Sequence, residues 1–260
     1  MLHRFRFEAK DLAEMPETER VFVVVLGYIS NEINILQKLM MMAHDLDDDP
    51  EPAEIQGRTA QTMCLLRVLV GKLNEAHRTI KEHYLDTGLH SQIKSQFDQD
   101  TLRELQGFIG YFSKPKNNLN VLRSKISFHN NWEFARQNLR SIPSDAALFI
   151  YTDETAGNTL FQFADLGAAF IMSNHVKPGD FAAGLGELTD EALQLARNLV
   201  HFSSACLAVM IRRGIGFTQD QVDLRSAPKL GDVRIPFFMV PVRSSAAAEG
   251  ATTPTADPAP

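Results

Sequence analysis

The sequence predicts a mainly α-helical fold, an antiparallel helical bundle with a small β-hairpin insertion and an extended C-terminal arm. Two long segments repeat apolar residues every three or four positions, the spacing of one face of an α-helix. A run of acids and prolines at residues 45–54 separates these segments, as expected for the turn of a helical hairpin. Capping residues and prolines then divide the following part of the chain into shorter periodic segments.

The first predicted helix runs from about Pro16 to His44. Pro16 suits a first helical turn, and the acids that follow it suit the positive end of the helix dipole. A second long helix is predicted over roughly residues 53–86. Its apolar stripe includes Leu69, Leu73 and Ile80, and Gly88 is the expected stop signal.

Three shorter helices are predicted next. Asp100 is the expected N-cap of the third helix, which Pro115 ends. A fourth helix starts near Asn117. A short fifth helix covers about residues 132–139 and ends near Pro143.

The segment after Pro143 is predicted to contain a β-hairpin near residues 147–163. Residues 147–151 and 159–163 are β-prone, and a Gly-Asn pair at 157–158 supplies turn chemistry between them. We interpret residues 166–172 as helix. The glycines and the proline of residues 177–187 predict a loop, after which Thr189 opens a last helix that ends at Gly214.

These boundaries divide the chain into four parts. Residues 1–15 form an N-terminal arm and residues 16–214 the helical domain. Residues 215–243 are predicted to be an extended arm, because prolines interrupt its apolar end. Residues 244–260 are rich in Ala, Thr and Pro and lack core-forming residues, so we expect a disordered tail.

Composition excludes several classes of protein. The chain has 260 residues, 44% of them hydrophobic, which suits one large domain or two small ones. Two cysteines are too few for a disulfide scaffold or a zinc site built from thiolates, and both are expected to be buried in helices. No apolar run approaches the 20 or so residues that span a bilayer, and the N-terminus lacks a secretory pattern. We therefore expect a cytoplasmic protein without membrane contact.

The sequence contains no complete metal-binding or cofactor-binding motif among those considered next. Asp45, Asp47 and Asp49 have the opening spacing of a calcium loop, but its sixth position is Pro50 and its twelfth is Gln56. The chain contains no Gly-rich phosphate loop ending in Gly-Lys-Ser/Thr and no His-Glu-x-x-His motif. No metal or cofactor is predicted.

Charge is segregated within this acidic protein. Net charge is −6, yet residues 103–140 hold seven basic side chains and two acids, a local charge of +5. Such a stretch is typical of a segment that binds a phosphate-rich partner. It is equally typical of one that docks against the chain's own acidic run, residues 45–54.

Arg123 and His129 are the candidate catalytic residues inside the basic stretch. Arginine presents five fixed donors suited to a phosphate, and histidine titrates near neutral pH. Together they can cut RNA without a metal ion, with His129 moving a proton and Arg123 stabilising the phosphate. The alternative interpretation is that His129 is half-buried at a helix end and Arg123 is a surface charge.

The run from Arg123 to His129, Arg-Ser-Lys-Ile-Ser-Phe-His, resembles the Arg-x(4–6)-His signature of the HEPN superfamily, named for higher eukaryotes and prokaryotes nucleotide binding. Ser124 stands where many members have Asn, and the two long helices before the motif match the family's bundle. The likeness extends over roughly residues 16–139. It implies an α-helical domain that dimerises, with the Arg and His of both protomers lining one cleft.

The resemblance also implies a function. Many members are metal-independent ribonucleases in toxin–antitoxin, phage-defence or RNA-processing systems, and others only bind. The first hypothesis is thus a HEPN-type endoribonuclease or nucleotide-binding effector centred on Arg123 and His129. Its substrate-binding residues would be Ser124, Lys125, Asn130 and Arg136. The second is a non-catalytic helical module that binds a protein partner or forms a homodimer.

Overall fold

The chain folds mainly into α-helices with a small two-stranded antiparallel sheet. The structure is a computed structural model that describes residues 2–44, 49–124, 136, 142–154, 157–229 and 232–239. The two strands are β1 (Leu2–Arg6) and β2 (Thr218–Val222). The helices are α1 (Ala9–Ala13), α2 (Glu17–His44), α3 (Pro52–Ile80), α4 (Leu89–Ile93), α5 (Gln99–Phe112), α6 (Asn118–Leu122), α7 (Gln162–Val176) and α8 (Phe181–Gly214).

Helices α2 and α3 form the predicted antiparallel pair. Phe22 stacks on Tyr84 with ring centroids 5.5 Å apart, and Glu32 pairs with Lys72 at 2.7 Å. The later residue of α2, Glu32, therefore contacts the earlier residue of the second helical segment, Lys72, so the two helices run antiparallel. Their apolar stripes meet in one core to which α5 and α8 also contribute.

The second long helix changes geometry near its end. Lys81–Leu85 is a π-helical segment that continues α3. It carries the buried Tyr84, whose hydroxyl lies 3.0 Å from His90 Nδ1. Burial raises the pKa of the Tyr84 phenol. Gly88 then adopts a left-handed conformation with φ 78° and precedes α4, which confirms the predicted stop.

Two helix N-termini precede the candidate site. The N-cap of α5 is Asp98 and not Asp100, because Asp98 Oδ1 accepts the Thr101 N–H at 2.7 Å. The fourth helix starts near Asn117 as expected, and Asn117 is its N-cap, accepting the Asn120 N–H at 2.7 Å. The predicted fifth helix, residues 132–139, lies outside the described residues except for the helical Arg136.

The predicted hairpin is reduced to one antiparallel bridge between Tyr151 and Leu160. At the next position of the ladder, the Phe149 N–H donates to the side-chain oxygen Gln162 Oε1 at 3.1 Å instead of to a backbone carbonyl. The chain then enters α7 at Gln162, two residues after the bridge. The helical interpretation of residues 166–172 is confirmed.

The predicted loop 177–187 is wrong beyond residue 180. Asp180 caps α8 by accepting the Ala183 N–H at 3.1 Å, so the helix begins at Phe181 and runs to the predicted end at Gly214. Gly184 lies in its first turn and is buried against α7. A Cβ there would lie 2.5 Å from the Ser173 carbonyl oxygen. Gly184, which the sequence suggests as a loop residue, is therefore explained by the close approach of α7 and α8.

The two predicted arms contact other parts of the chain. Strand β1 pairs antiparallel with β2, from Leu2 opposite Val222 to Arg6 opposite Thr218. Further along, the Ile235 N–H donates to the Met42 carbonyl at 3.3 Å. The Asn158 side chain bonds both backbone groups of Met239 at 2.8 and 2.9 Å. The predicted tail lies outside the described residues.

Only one of the two thiols is buried as expected. Cys206 lies in the core of α8, and burial raises its pKa to about 12. Cys64 is exposed on α3. Across the part of the chain that the structure describes, no helix is both long and apolar enough to span a bilayer.

Candidate functional site

A cavity of about 750 Å³ lies where α3 meets the end of α6. Val68 and Gly71 contribute to its walls. Its polar lining consists of Lys72, Asn74, Glu75, Asn120, Arg123 and Ser124. Two residues of the predicted site, Arg123 and Ser124, are therefore found together at a concave surface.

Helical spacing assembles this lining. Val68, Lys72 and Glu75 recur at intervals of four and three residues, which places them on one face of α3. Leu119 and Leu122 are at most 1% exposed, so they anchor the short α6 in the core. Arg123 follows the last α6 residue directly, and this anchoring fixes its backbone beside α3.

Arg123 shares one carboxylate with a second arginine. Arg123 Nη2 donates to Glu75 Oε1 at 2.8 Å, and Arg78 Nη2 donates to Glu75 Oε2 at 2.6 Å. The Arg123 and Glu75 side chains are 45% and 39% exposed, so solvent screens their attraction. The three groups together carry a net charge of +1, and two of them, Glu75 and Arg123, line the cavity.

Lys72 is held more tightly. Its Nζ lies 2.7 Å from Glu32 Oε1 on α2 and 6.0 Å above the Tyr28 ring. The Lys72–Glu32 pair has no net charge and is less exposed than the Arg123–Glu75 pair. Lys72 therefore contributes to the wall of the cavity more than to its charge. Among the residues that line the cavity, Arg123 is the cation whose side chain is more open to an incoming anion.

The amide and hydroxyl groups add hydrogen-bonding capacity. Asn74 is buried and donates from Nδ2 to the Val70 carbonyl at 2.9 Å, which orients its side chain. Ser124 is exposed and donates to the Val121 carbonyl at 3.1 Å. Together with Asn120 they give the cavity neutral polar groups beside its cation, a combination that suits a phosphate ester.

Only part of the predicted site can be placed. Lys125, His129 and Asn130 lie outside the described residues. Arg136 is described and exposed. Arg123 contacts Glu75 of α3. Residues 45–48 of the acidic run lie outside the described residues.

Sequence reasoning missed the α3 half of the cavity. Glu75 and Arg78 are three residues apart on a helix, a spacing that signals an ion pair. No local pattern indicates that Arg123, 48 residues later, joins the same carboxylate. Packing of α6 on α3 creates that contact.

Two histidines elsewhere in the described residues, His77 and His201, have structural partners. His77 stacks on Phe112 with centroids 5.0 Å apart, and burial lowers the pKa of its imidazole. His201 of α8 contacts Glu104 of α5 through Nδ1. No group of three His, Cys, Asp or Glu side chains within the described ranges could hold a metal ion.

Comparison of the chain with protein-family models, with curated proteins and with solved structures gives no match.

Proposed function

We propose that this chain is a HEPN-like protein that binds RNA or a nucleotide at the Arg123 cavity and cuts RNA without a metal ion. One observation carries the proposal: the arginine of the Arg-x5-His motif lies at a cavity of about 750 Å³ lined by polar groups. That volume falls within the range typical of small-molecule and cofactor sites. The local charge of +5 over residues 103–140 supports a phosphate-rich ligand.

The ion pair between Arg123 and Glu75 does not block this role. Exposed pairs stabilise a protein by only about 0–1 kcal/mol. Hydrogen bonds from a guanidinium to a phosphate are charge-assisted and can be bidentate, which makes them stronger than neutral ones. A phosphate can therefore replace Glu75 as the partner of Arg123 at small cost.

The proposed reaction uses the RNA's own nucleophile. His129 removes the proton of a 2′-hydroxyl, whose oxygen forms a bond to the adjacent phosphorus. The bond from phosphorus to the 5′-oxygen breaks, and that oxygen takes up a proton that the imidazolium of His129 returns directly or through water. The products are a 2′,3′-cyclic phosphate and a 5′-hydroxyl end. Arg123 stabilises the charge that grows on the phosphoryl oxygens, while Lys125 and Arg136 neutralise neighbouring phosphates.

Two substitutions in the cavity are expected to change RNA affinity in opposite directions. Glu75→Gln removes the competing charge but keeps the size of the side chain, so affinity should rise by about fivefold, equivalent to about 1 kcal/mol. Arg123→Gln removes the donor fork and should weaken binding by about tenfold or more. Fluorescence anisotropy with a labelled single-stranded RNA at low salt measures both.

Arg103→Gln is the matched control for this pair of variants. Arg103 is exposed, lies in the same basic stretch and pairs with Asp100, away from the cavity. It should shift affinity only by the modest effect of one surface charge. Equal losses for Arg103→Gln and Arg123→Gln would contradict a specific role for the cavity, and absence of RNA binding by the wild type would remove the proposal altogether.

A second candidate function, a protein-binding or dimerisation module, is favoured by one face of α2. Its exposed apolar side chains are Val21, Val24, Val25, Tyr28 and Ile35. Positions 21, 28 and 35 repeat every seven residues, the period of helices that pack against another helix. An uncovered apolar stripe of this length is typical of an interaction surface. We propose that it holds a homodimer together.

Charges placed on that stripe are expected to halve the molecular mass in solution. Val24→Lys with Tyr28→Lys would put two desolvated charges into the dimer contact, and a buried unpaired charge costs several kcal/mol. Light scattering on a size-exclusion column at micromolar concentration measures the mass. Gln99→Lys, an exposed change in the first turn of α5, should leave the mass unaltered. An unchanged mass in the double variant would contradict this interface.

A further inference from the structure

The lining of the Arg123 cavity is buried on one side and exposed on the other. Gly71 and Asn74 of α3 are buried, and Asn74 is only 8% exposed. Arg123 and Ser124, which follow α6, are exposed. A charged group is most stable where water still reaches it, and a less polar group can enter the buried side. The cavity is therefore suited to a ligand with one charged and one flat, uncharged part.

The Asn74 side chain has a fixed hydrogen-bonding role. Its amide nitrogen donates to the Val70 carbonyl at 2.9 Å. A carbonyl oxygen can only accept, so the end of the amide that faces Val70 is the NH2 group and the other end is the oxygen Oδ1. None of the hydrogen bonds within the described ranges reaches Oδ1. Since a buried acceptor without a partner is costly, a ligand that donates to Oδ1 is favoured.

Most of the other polar groups in the lining also accept hydrogen bonds or are already paired. Ser124 Oγ donates to a backbone carbonyl of α6 at 3.1 Å, so its oxygen is left to accept. Glu75 is a carboxylate with lone pairs beyond those that its two arginine partners occupy. Lys72 donates to both Glu32 oxygens, at 2.7 and 2.8 Å. Asn120 differs, because its side-chain amide bonds to no described residue and can present either its oxygen or its nitrogen.

We propose that the buried side of the Arg123 cavity receives a nucleobase with an exocyclic amino group, adenine or cytosine, which donates to Asn74 Oδ1. The inference rests on the proposed function, in which Arg123 on the exposed side binds the phosphate of the same nucleotide. A cavity of about 750 Å³ is large enough for a base, a ribose and a phosphate. Val68 and Gly71 supply apolar contact for the flat face of the base.

The fixed acceptor disfavours uracil and hypoxanthine. Adenine and cytosine carry an NH2 group with two N–H donors beside a ring nitrogen that accepts. Uracil and hypoxanthine carry a carbonyl oxygen in place of that NH2 group, beside a ring N–H. A carbonyl that faces Asn74 Oδ1 brings two acceptors together without a hydrogen bond. A site built to bond a polar group discriminates strongly against a ligand that lacks the group.

Single-base changes in a short RNA test this inference. The probe is a labelled pentanucleotide with uridine at every position except a variable central base. Fluorescence anisotropy at low salt should show about tenfold or more tighter binding for adenine than for hypoxanthine, and for cytosine than for uracil, the scale of one hydrogen bond to a buried group. Discrimination within only one of these pairs would assign the site to that pair's amino-bearing base.

Asn74→Leu should abolish the preference, because leucine has a similarly branched side chain but no acceptor. Asn198→Leu is the matched control, since Asn198 lies on α8, bonds to Gln194 and does not line the cavity. It should retain the wild-type preference, and circular dichroism confirms that both variants are folded. Arg123→Gln should weaken binding of every RNA in parallel, because the phosphate is common to them, and should leave the ratio between bases unchanged.

The outcomes separate this inference from the proposed function. Binding that depends on Arg123 but has the same affinity for all four central bases would overturn the base preference and leave the proposed function standing. A preference that persists in Asn74→Leu would overturn the role of Asn74. Absence of RNA binding by the wild type would overturn both. The comparison of bases uses the wild-type chain, so it decides the preference even if Asn74→Leu does not fold.

Discussion

Replacement of His129 with Ala is expected to slow RNA cleavage by roughly a hundredfold or more, the scale of general acid–base catalysis. The proposed reaction depends on proton transfer from the 2′-hydroxyl, and alanine cannot accept a proton. The rate is measured with end-labelled RNA in EDTA. Products of the wild-type reaction should carry a 2′,3′-cyclic phosphate, because an internal hydroxyl is the nucleophile.

Arg123→Lys should also impair cleavage, although it preserves the charge. An ammonium group is a compact charge that cannot make the paired contact of a guanidinium with two phosphate oxygens. Arg103→Lys provides the control at an exposed position that pairs with Asp100. Cleavage that survives His129→Ala, or that stops only when EDTA is added, would refute the mechanism. The binding tests on Glu75 would then still decide whether the cavity recognises RNA.

Most of the bundle could be predicted because its helices are amphipathic. In α2 and α3 the buried positions, such as Ile33 and Leu73, follow the apolar repeat. The start of α6 near Asn117 was also predicted from its local sequence. Asp98 and Asp100 are both acceptable N-caps by type, and the bond that Asp98 makes to Thr101 decides between them.

Only the part of the candidate site that follows α6 could be predicted from the sequence. Arg123 was found because it belongs to a short local motif. Glu75 and Lys72 line the same cavity only because α6 packs on α3, and such a contact leaves no trace in local spacing. The expected hairpin is limited to the bridge between Tyr151 and Leu160, and beyond it the Phe149 N–H donates to the side chain of Gln162. Tertiary contacts decided each of these cases.

The largest error, the late start of α8, rested on treating Gly184 and Gly186 as equivalent. Both are helical, but Gly184 is buried against α7 while Gly186 is exposed. A Cβ at position 184 would lie 2.5 Å from the Ser173 carbonyl oxygen and 2.6 Å from its Oγ. A Cβ at position 186 would meet no atom within 4 Å among the described residues.

Gly184→Ala and Gly186→Ala are therefore expected to have opposite effects on stability. Alanine at 184 must push α7 away or shift the Ser173 backbone, and overpacking of this kind costs about 1–3 kcal/mol. Alanine at 186 meets no obstacle and gains the helix propensity that glycine lacks, about 0.5–1 kcal/mol. In a chain of this size each kcal/mol shifts the Tm by roughly 2–4 °C. Scanning calorimetry should show a lower Tm for the first variant and a higher Tm for the second. Equal Tm values would mean that α7 and α8 do not approach this closely.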